Sequence, residues 1–255
     1  MNRRPADPPF LKTVQLRREL VPSFDAYPFS IPAIKQLTSL ELHPRVTFFV
    51  GENGTGKSTL LEAIAVAEGF NAEGGSRNAM FKTKDTHDDS LPRKLMLGRN
   101  KIPRGDSFFL RAESFYNLSS YVDQLGFPPL KNPYGPVPLH QQSHGEAFLT
   151  LLVHRFVGNG LYLFDEPEAA LSPQRQLTFL AALHDLVQRG GQFLIATHSP
   201  IILAYPDALI LQFTAAGIAP IAYEETEHYK VTRAFLTRRE LMLKELLETD
   251  DEQGP

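Results

Sequence analysis

The chain has 255 residues, a formal net charge of −3 and no cysteine. That length suits one large α/β domain with a sizeable core, and the lack of cysteine excludes disulfides, thiolate metal sites and cysteine nucleophiles. The mildly acidic balance argues against a surface that coats nucleic acid throughout, and the opening MNRRPADPPF has no apolar stretch to serve as a signal peptide. In chain order, Leu11–Arg18 and Phe29–Leu42 read as short strands with turns at Pro22, Pro28 and Pro44. With the apolar run Val46–Val50 they are expected to form a mixed sheet. A helix is expected over Ser58–Glu68, followed by a charged, loop-like stretch, Asn71–Arg104. Ser107–Leu110 reads as a strand and Tyr116–Leu125 as helical. Phe127–Pro138 holds five prolines, too many for a regular element.

The second half is more strongly patterned. A helix over Gly145–Phe156 precedes an apolar strand, Leu161–Phe164. Ser172 then reads as an N-cap with Pro173 at the first helical position, and the helix should stop at Gly190-Gly191. Gln192–Thr197 is the next strand. The apolar stretch Gln192–Phe213 is interrupted by His198, Pro200, Pro206 and Asp207, so it reads as two buried strands around a turn, not as a membrane span. Strands alternating with helices imply right-handed crossovers and a mostly parallel sheet, with ligands at the strands' C-terminal ends. In the tail, Phe235–Leu247 puts Phe235, Leu236, Met242, Leu243, Leu246 and Leu247 on one helical stripe, expected to pack on the domain body.

The chemistry-bearing residues fall on that sheet edge. Gly51, Glu52, Asn53, Gly54, Thr55, Gly56, Lys57, Ser58 and Thr59 form a Gly-x4-Gly-Lys-Ser/Thr turn between a strand and a helix. Such a P-loop offers successive backbone N–H groups and a helix N-terminus to phosphate oxygens. Downstream, LYLFDEPE sets Asp165 and Glu166 at the end of a buried strand, where an unpaired carboxylate is costly. Asp165 suits a Mg²⁺ site shared with the Ser58 hydroxyl, and Glu166 suits a general base for water. His140 and His144 stand four apart, but no adjacent acid completes a zinc motif.

With these motifs in place, the chain resembles the ATP-binding-cassette (ABC) ATPase superfamily. QSHGEAFL (Ser143, 22 residues before Asp165) sits where that family has its signature, DEPEAALS resembles a Walker B motif running into a D-loop, and ATHSP (His198, 33 residues after Asp165) resembles the switch-histidine loop. The match is tightest with small stand-alone AAA-type ATPases related to the SMC and DNA-repair branch. Gln142, His144 and Glu146 depart from the usual Leu-Ser-Gly-Gly-Gln, and Ser172 replaces the D-loop's last aspartate. No glutamine follows Ser107–Leu110; Glu113, as a metal-site residue, or Arg111 stands in its place. The family's base-stacking aromatic has two candidates, Tyr27 and Phe29, each open to a core role.

The resemblance implies an α/β P-loop NTPase with a mostly parallel central sheet flanked by helices, an N-terminal antiparallel β lobe and a small helical subdomain. It implies one domain over 1–255: β lobe and strand (1–50), P-loop helix (51–70), insert with signature (71–145), Walker B to switch histidine (146–223), and C-terminal helix with acidic tail (224–255). Cofactors would be ATP and Mg²⁺; Lys57, Glu166 and His198 would be catalytic, with Ser143 and Gly145 completing the nucleotide site of a second copy in a homodimer. The implied protein is a cytoplasmic ATPase, without direct membrane insertion, acting in DNA repair or genome defence. A transporter's energising subunit and a non-hydrolysing, ATP-gated regulator of a partner protein stand as alternatives. A nucleic-acid contact would use the basic run Arg93, Lys94, Arg99, Lys101 and Arg104.

Overall fold

The computed structural model describes residues 9–77, 90–101, 105–113, 115–124, 126–128 and 132–247. Its first half holds β1 (Leu11–Leu16), the short helix α1 (Pro32–Lys35), β2 (Ser39–Glu41), β3 (Val46–Val50), α2 (Lys57–Ala67), α3 (Leu91–Lys94), β4 (Leu95–Arg99), β5 (Asp106–Arg111) and α4 (Phe115–Gln124). The second half holds α5 (His144–His154), β6 (Gly160–Asp165), α6 (Pro173–Gln188), β7 (Gln192–Ala196), α7 (Pro200–Leu203), β8 (Leu209–Thr214), β9 (Gly217–Pro220), α8 (Glu227–Thr237) and α9 (Arg239–Leu247).

A six-stranded sheet runs in the order β5-β6-β7-β3-β8-β9, parallel except for the edge strand β9. Its central strands are buried on both faces, which is why they read as unbroken apolar runs. Alternation along each strand sorts the side chains. Phe48 and Phe164 join one core with Phe148 and Phe179 from α5 and α6, while Phe49 and Leu163 join another with Leu60 and Ile64 from α2. A small antiparallel sheet, β2-β1-β4, covers the α2 side. The expected α/β architecture, with its antiparallel lobe, is therefore present.

Four local expectations are corrected. Val46–Val50 is the centre of the parallel sheet and not part of a mixed N-terminal one. Phe29–Leu42 contains α1 before its strand, because Pro32 favours a first helical turn. The supposed loop up to Arg104 holds α3 and β4, the latter paired with β1; Arg104 itself lies outside the described residues. The tail is two helices, broken at Arg238, and neither contains a buried residue. Its leucines face solvent, Leu236 at 73 % exposure. No helix among the described residues is long and apolar enough to cross a membrane.

Candidate functional site

Three loops meet where β3, β7 and β6 end side by side. Thr197 N–H donates to Phe49 O (3.2 Å) and Glu166 N–H to Ala196 O (2.9 Å), so the ladder extends one step into the loops and fixes their relative height. The P-loop turns through Gly51, Gly54 and Gly56, all at positive φ. A side chain at Gly51 would stand 2.6 Å from Phe213 O, so the close approach of β8 demands glycine there. Gly56 caps α2 and leaves the helix N-terminus open. Thr55 Oγ1 donates to Glu52 O (2.8 Å), and Lys57 Nζ donates to Gly51 O (2.8 Å) and Glu52 O (2.9 Å). Burial pulls the Lys57 ammonium below the usual lysine range, against the nearby charges of Glu166, Asp165 and Glu168. A cavity of about 450 Å³ lies against this loop, lined by Gly51 to Thr55, by Phe213 to Ala215 and by Thr226 to His228.

Across from the P-loop, Ser58 Oγ–H donates to Asp165 Oδ1 at 2.8 Å, joining two residues far apart in sequence. Asp165 is buried, and burial pushes its carboxyl up to about 6 despite the Ser58 hydrogen bond and the Arg111 charge. One hydroxyl and one carboxylate suit Mg²⁺, which takes few protein ligands and relies on phosphate oxygens and water for the rest. Among the described residues no group of three or more His, Asp or Glu side chains converges on a common point. Arg111 pairs in register with Asp165, and its Nε lies 3.6 Å from Asp165 Oδ2. Its remaining nitrogens reach Glu62 (2.6 Å) and Glu113 (3.4 Å). Of the two candidates for the missing glutamine, Arg111 thus faces the site, while Glu113 stands at the rim, 83 % exposed.

Glu166 sits in the left-handed region (φ 51°, ψ 53°), a strained conformation for a side-chain-bearing residue. Its Oε1 lies 3.7 Å from His198 Nε2. Burial, then the Lys57 charge and His228, push His198 down to about 4, so the ring is neutral at pH 7. Two residues to which the motifs assigned no role also shape this site. Glu168 is a half-buried carboxylate that accepts from Thr197 Oγ1 (2.7 Å) and His198 N (2.5 Å), clasping the switch loop. Its carboxyl is pushed up by burial. His228, from α8, places Nε2 at 2.9 Å from His198 Nδ1. Below them Ser199 Oγ donates to Gln176 Oε1 (2.5 Å), tying the loop to α6.

Ser143 caps α5 in a reciprocal capping box with Glu146. Its hydroxyl donates to Glu146 Oε2 (2.6 Å) and accepts from Arg175 (3.1 Å), which also pairs with Glu146 Oε1 (2.9 Å). The Ser143 hydrogen bond holds the Glu146 carboxyl below its usual range. Gly145 is required by packing, since a Cβ would stand 2.7 Å from Ala170 O. The contacts of Ser143 lie on α5 and α6, none in the P-loop. His140 pairs with Asp123, and His144 sits edge-on to Phe115, so the two histidines do not converge. In the basic run, Arg99 is committed to Glu68 (2.7 Å), whose carboxylate is fully buried, and to Ala67 O. Phe29 is a core residue; Tyr27 is 75 % exposed.

Known proteins resemble the chain along this framework. The family model "AAA domain, putative AbiEii toxin, Type IV TA system" matches residues 131–204, and the model "AAA domain" matches residues 28–100. Protein ea59 of Escherichia phage lambda is 41 % identical over 70 residues, 26 % of this chain but only 13 % of that protein. The cytochrome c biogenesis ATP-binding export protein CcmA of Rhizobium johnstonii is 28 % identical over 59 % of this chain and 74 % of its own length. The hemin import ATP-binding protein HmuV of Pseudomonas fluorescens is 27 % identical over 85 % of this chain and 89 % of its own. Among solved structures, the SMC head domain from Thermotoga maritima shares the fold at a TM-score of 0.50 and 16 % identity, covering 83 % of this chain and 99 % of that one. With its P-loop, acidic strand end and switch-histidine segments meeting at one sheet edge, the chain is similar to AAA and ABC-type ATPase domains over most of its length and shares the fold of an SMC head.

Proposed function

We propose that this chain binds and hydrolyses Mg-ATP, and that ATP clamps two copies together in a switch that hydrolysis releases. The observation that carries the reading is the Ser58–Asp165 hydrogen bond at 2.8 Å, which brings the P-loop helix and the acidic strand end into one metal-competent pair. Ser58 and Asp165 would hold Mg²⁺, with Glu113 contributing from the rim; the ion would neutralise charge on the β- and γ-phosphate oxygens. Lys57 and the Gly51–Gly56 backbone, with Glu52, Asn53, Thr55 and Thr59 shaping the loop, bind the phosphates. Glu166 accepts a proton from water, and His198 donates from the same side. Ser143 and Gly145 complete the site of the opposite copy.

For the process, DNA repair or genome defence is the preferred reading, supported by a matching family described by a toxin–antitoxin system and by a fold shared with SMC heads. Direct DNA contact through the basic run has less support, because Arg99 already neutralises Glu68. A transporter's energising subunit is the second reading, favoured by the length of the hemin import relative's match.

Glu166→Gln tests the core of the proposal. With ATP and Mg²⁺ it should accumulate as a dimer of about twice the 28.6 kDa chain mass in light scattering, while the wild type returns to monomer as ATP is consumed. A variant that binds ATP yet stays monomeric at saturation refutes the clamp. A wild type that binds ATP tightly without turnover refutes hydrolysis and leaves the ATP-gated regulator.

A further inference from the structure

The first turn of α8 is planted beside the P-loop. Thr226, its buried N-cap, donates to Tyr223 O (2.7 Å) and accepts from Tyr229 N. From that turn His228 meets His198, with ring centroids 5.0 Å apart and Nε2 2.9 Å from Nδ1. A hydrogen bond between two imidazoles needs one N–H and one lone pair, so one ring dictates the tautomer of the other. The free nitrogen of His198 decides which. Its Nε2 is buried, makes no hydrogen bond, and has Glu166 Oε1 at 3.7 Å. A lone pair there would face a carboxylate and be repelled; an N–H would be attracted.

We propose that His228 is a positioning residue whose Nε2–H donates to His198 Nδ1, holding His198 in the tautomer that presents Nε2–H on the Glu166 side. The inference rests on the proposed hydrolysis for its consequence, because a neutral sensor of phosphate must donate and only this tautomer does so at Nε2. Burial lowers both imidazoles from their usual range, which keeps each ring neutral and the shared bond to one proton. Lys57 pushes both the same way, opposed at His228 by Glu227. No residue of α8 or α9 is fully buried, so this contact is a main point at which the C-terminal segment engages the reacting centre.

The test pairs spectroscopy with kinetics. In ¹⁵N-histidine-labelled full-length protein at pH 7.5, long-range ¹H–¹⁵N correlations should report His198 protonated at Nε2. His228→Leu should mix its tautomers and lower kcat about tenfold or more, the range for lost orienting partners, with KM for ATP changed less than twofold. His228→Gln, whose amide N–H reaches the same lone pair, should restore the tautomer and most of kcat. Protonation at Nδ1 in the wild type overturns the assignment. So does a His228→Gln variant as impaired as His228→Leu, since that marks a structural role only. The spectrum needs no turnover, so an inactive wild type would sink the hydrolysis reading while the tautomer is still tested.

Discussion

Replacing Asp165 by asparagine should stabilise the free protein while removing its function. In the unfolded chain this carboxyl loses its proton near its ordinary 3.8, whereas in the folded chain it does so only near 6, because burial penalises the charge. The difference of about 2 units corresponds to about 3 kcal/mol of destabilisation once both states are ionised. Asparagine keeps the acceptor for Ser58 Oγ–H but turns a donor toward Arg111 Nε, 3.6 Å from the present carboxylate. We therefore expect a net gain of about 1–3 kcal/mol, or about 2–4 °C in Tm for each kcal/mol in a domain of this size. Between pH 4 and 6 the folded wild type holds the extra proton, so its stability falls as pH rises through that window and stays low above it. The gain of Asp165→Asn should accordingly grow from pH 4 to 6 and then level off. Urea unfolding in EDTA at pH 4.5, 6 and 7.5 measures this. A variant no more stable than wild type at pH 7.5, or a gain independent of pH, would refute the burial argument. With Mg-ATP added, the order should reverse.

Two further substitutions probe the loops. Glu168→Ala strips the acceptor from both His198 N–H and Thr197 Oγ1–H, each about 1–3 kcal/mol when left unmade; urea unfolding should show a loss of several kcal/mol, and Glu168→Gln a clearly smaller one. Glu146→Gln restores the residue usual at the end of the signature and removes a carboxylate that competes with phosphate for Ser143 Oγ. ATP-dependent dimers of the Glu166→Gln protein should then form at lower ATP concentration by light scattering; an unchanged midpoint would mean that Glu146 does not compete.

The P-loop, the Asp165–Glu166 pair and the Ser172 cap were legible because each is a local pattern, a few residues whose spacing follows from one turn or one strand end. What failed was non-local. β4 hides in a basic stretch because its partner, β1, lies some 80 residues earlier, and pairing across that distance leaves no local trace. The amphipathic tail showed a stripe, but periodicity reveals only that an apolar face exists, not what covers it; here the helix breaks at Arg238 and its leucines stay exposed. Glu168 lay inside the quoted DEPE run with no role assigned to it, and His228 had no motif at all. Each acts on His198 across a separation of 30 residues, through contacts that depend on the packing of α8 and the fold of the switch loop.

The free site is internally satisfied almost everywhere. Lys57 is spent on two loop carbonyls, Ser58 on Asp165, Ser143 on Glu146, and His198 Nδ1 on His228. An arriving nucleotide would therefore exchange partners with these groups, so each new contact to a charged phosphate is worth about 1.5–3 kcal/mol net and not the 4–6 kcal/mol of an isolated bond. What the nucleotide adds that the free chain lacks is charge and reach. Its phosphates would draw Lys57 off the loop and, in the proposed dimer, would offer Ser143 of another copy an acceptor that competes with the Glu146 carboxylate it already holds. Among the described residues of the site, His198 Nε2 and Arg111 Nε are the exceptions, each buried and without a hydrogen bond. A hydrogen bond from His198 Nε2–H to a γ-phosphate oxygen would be gained outright, without first breaking another, so His198 is a position where a bound γ-phosphate should change the energy strongly.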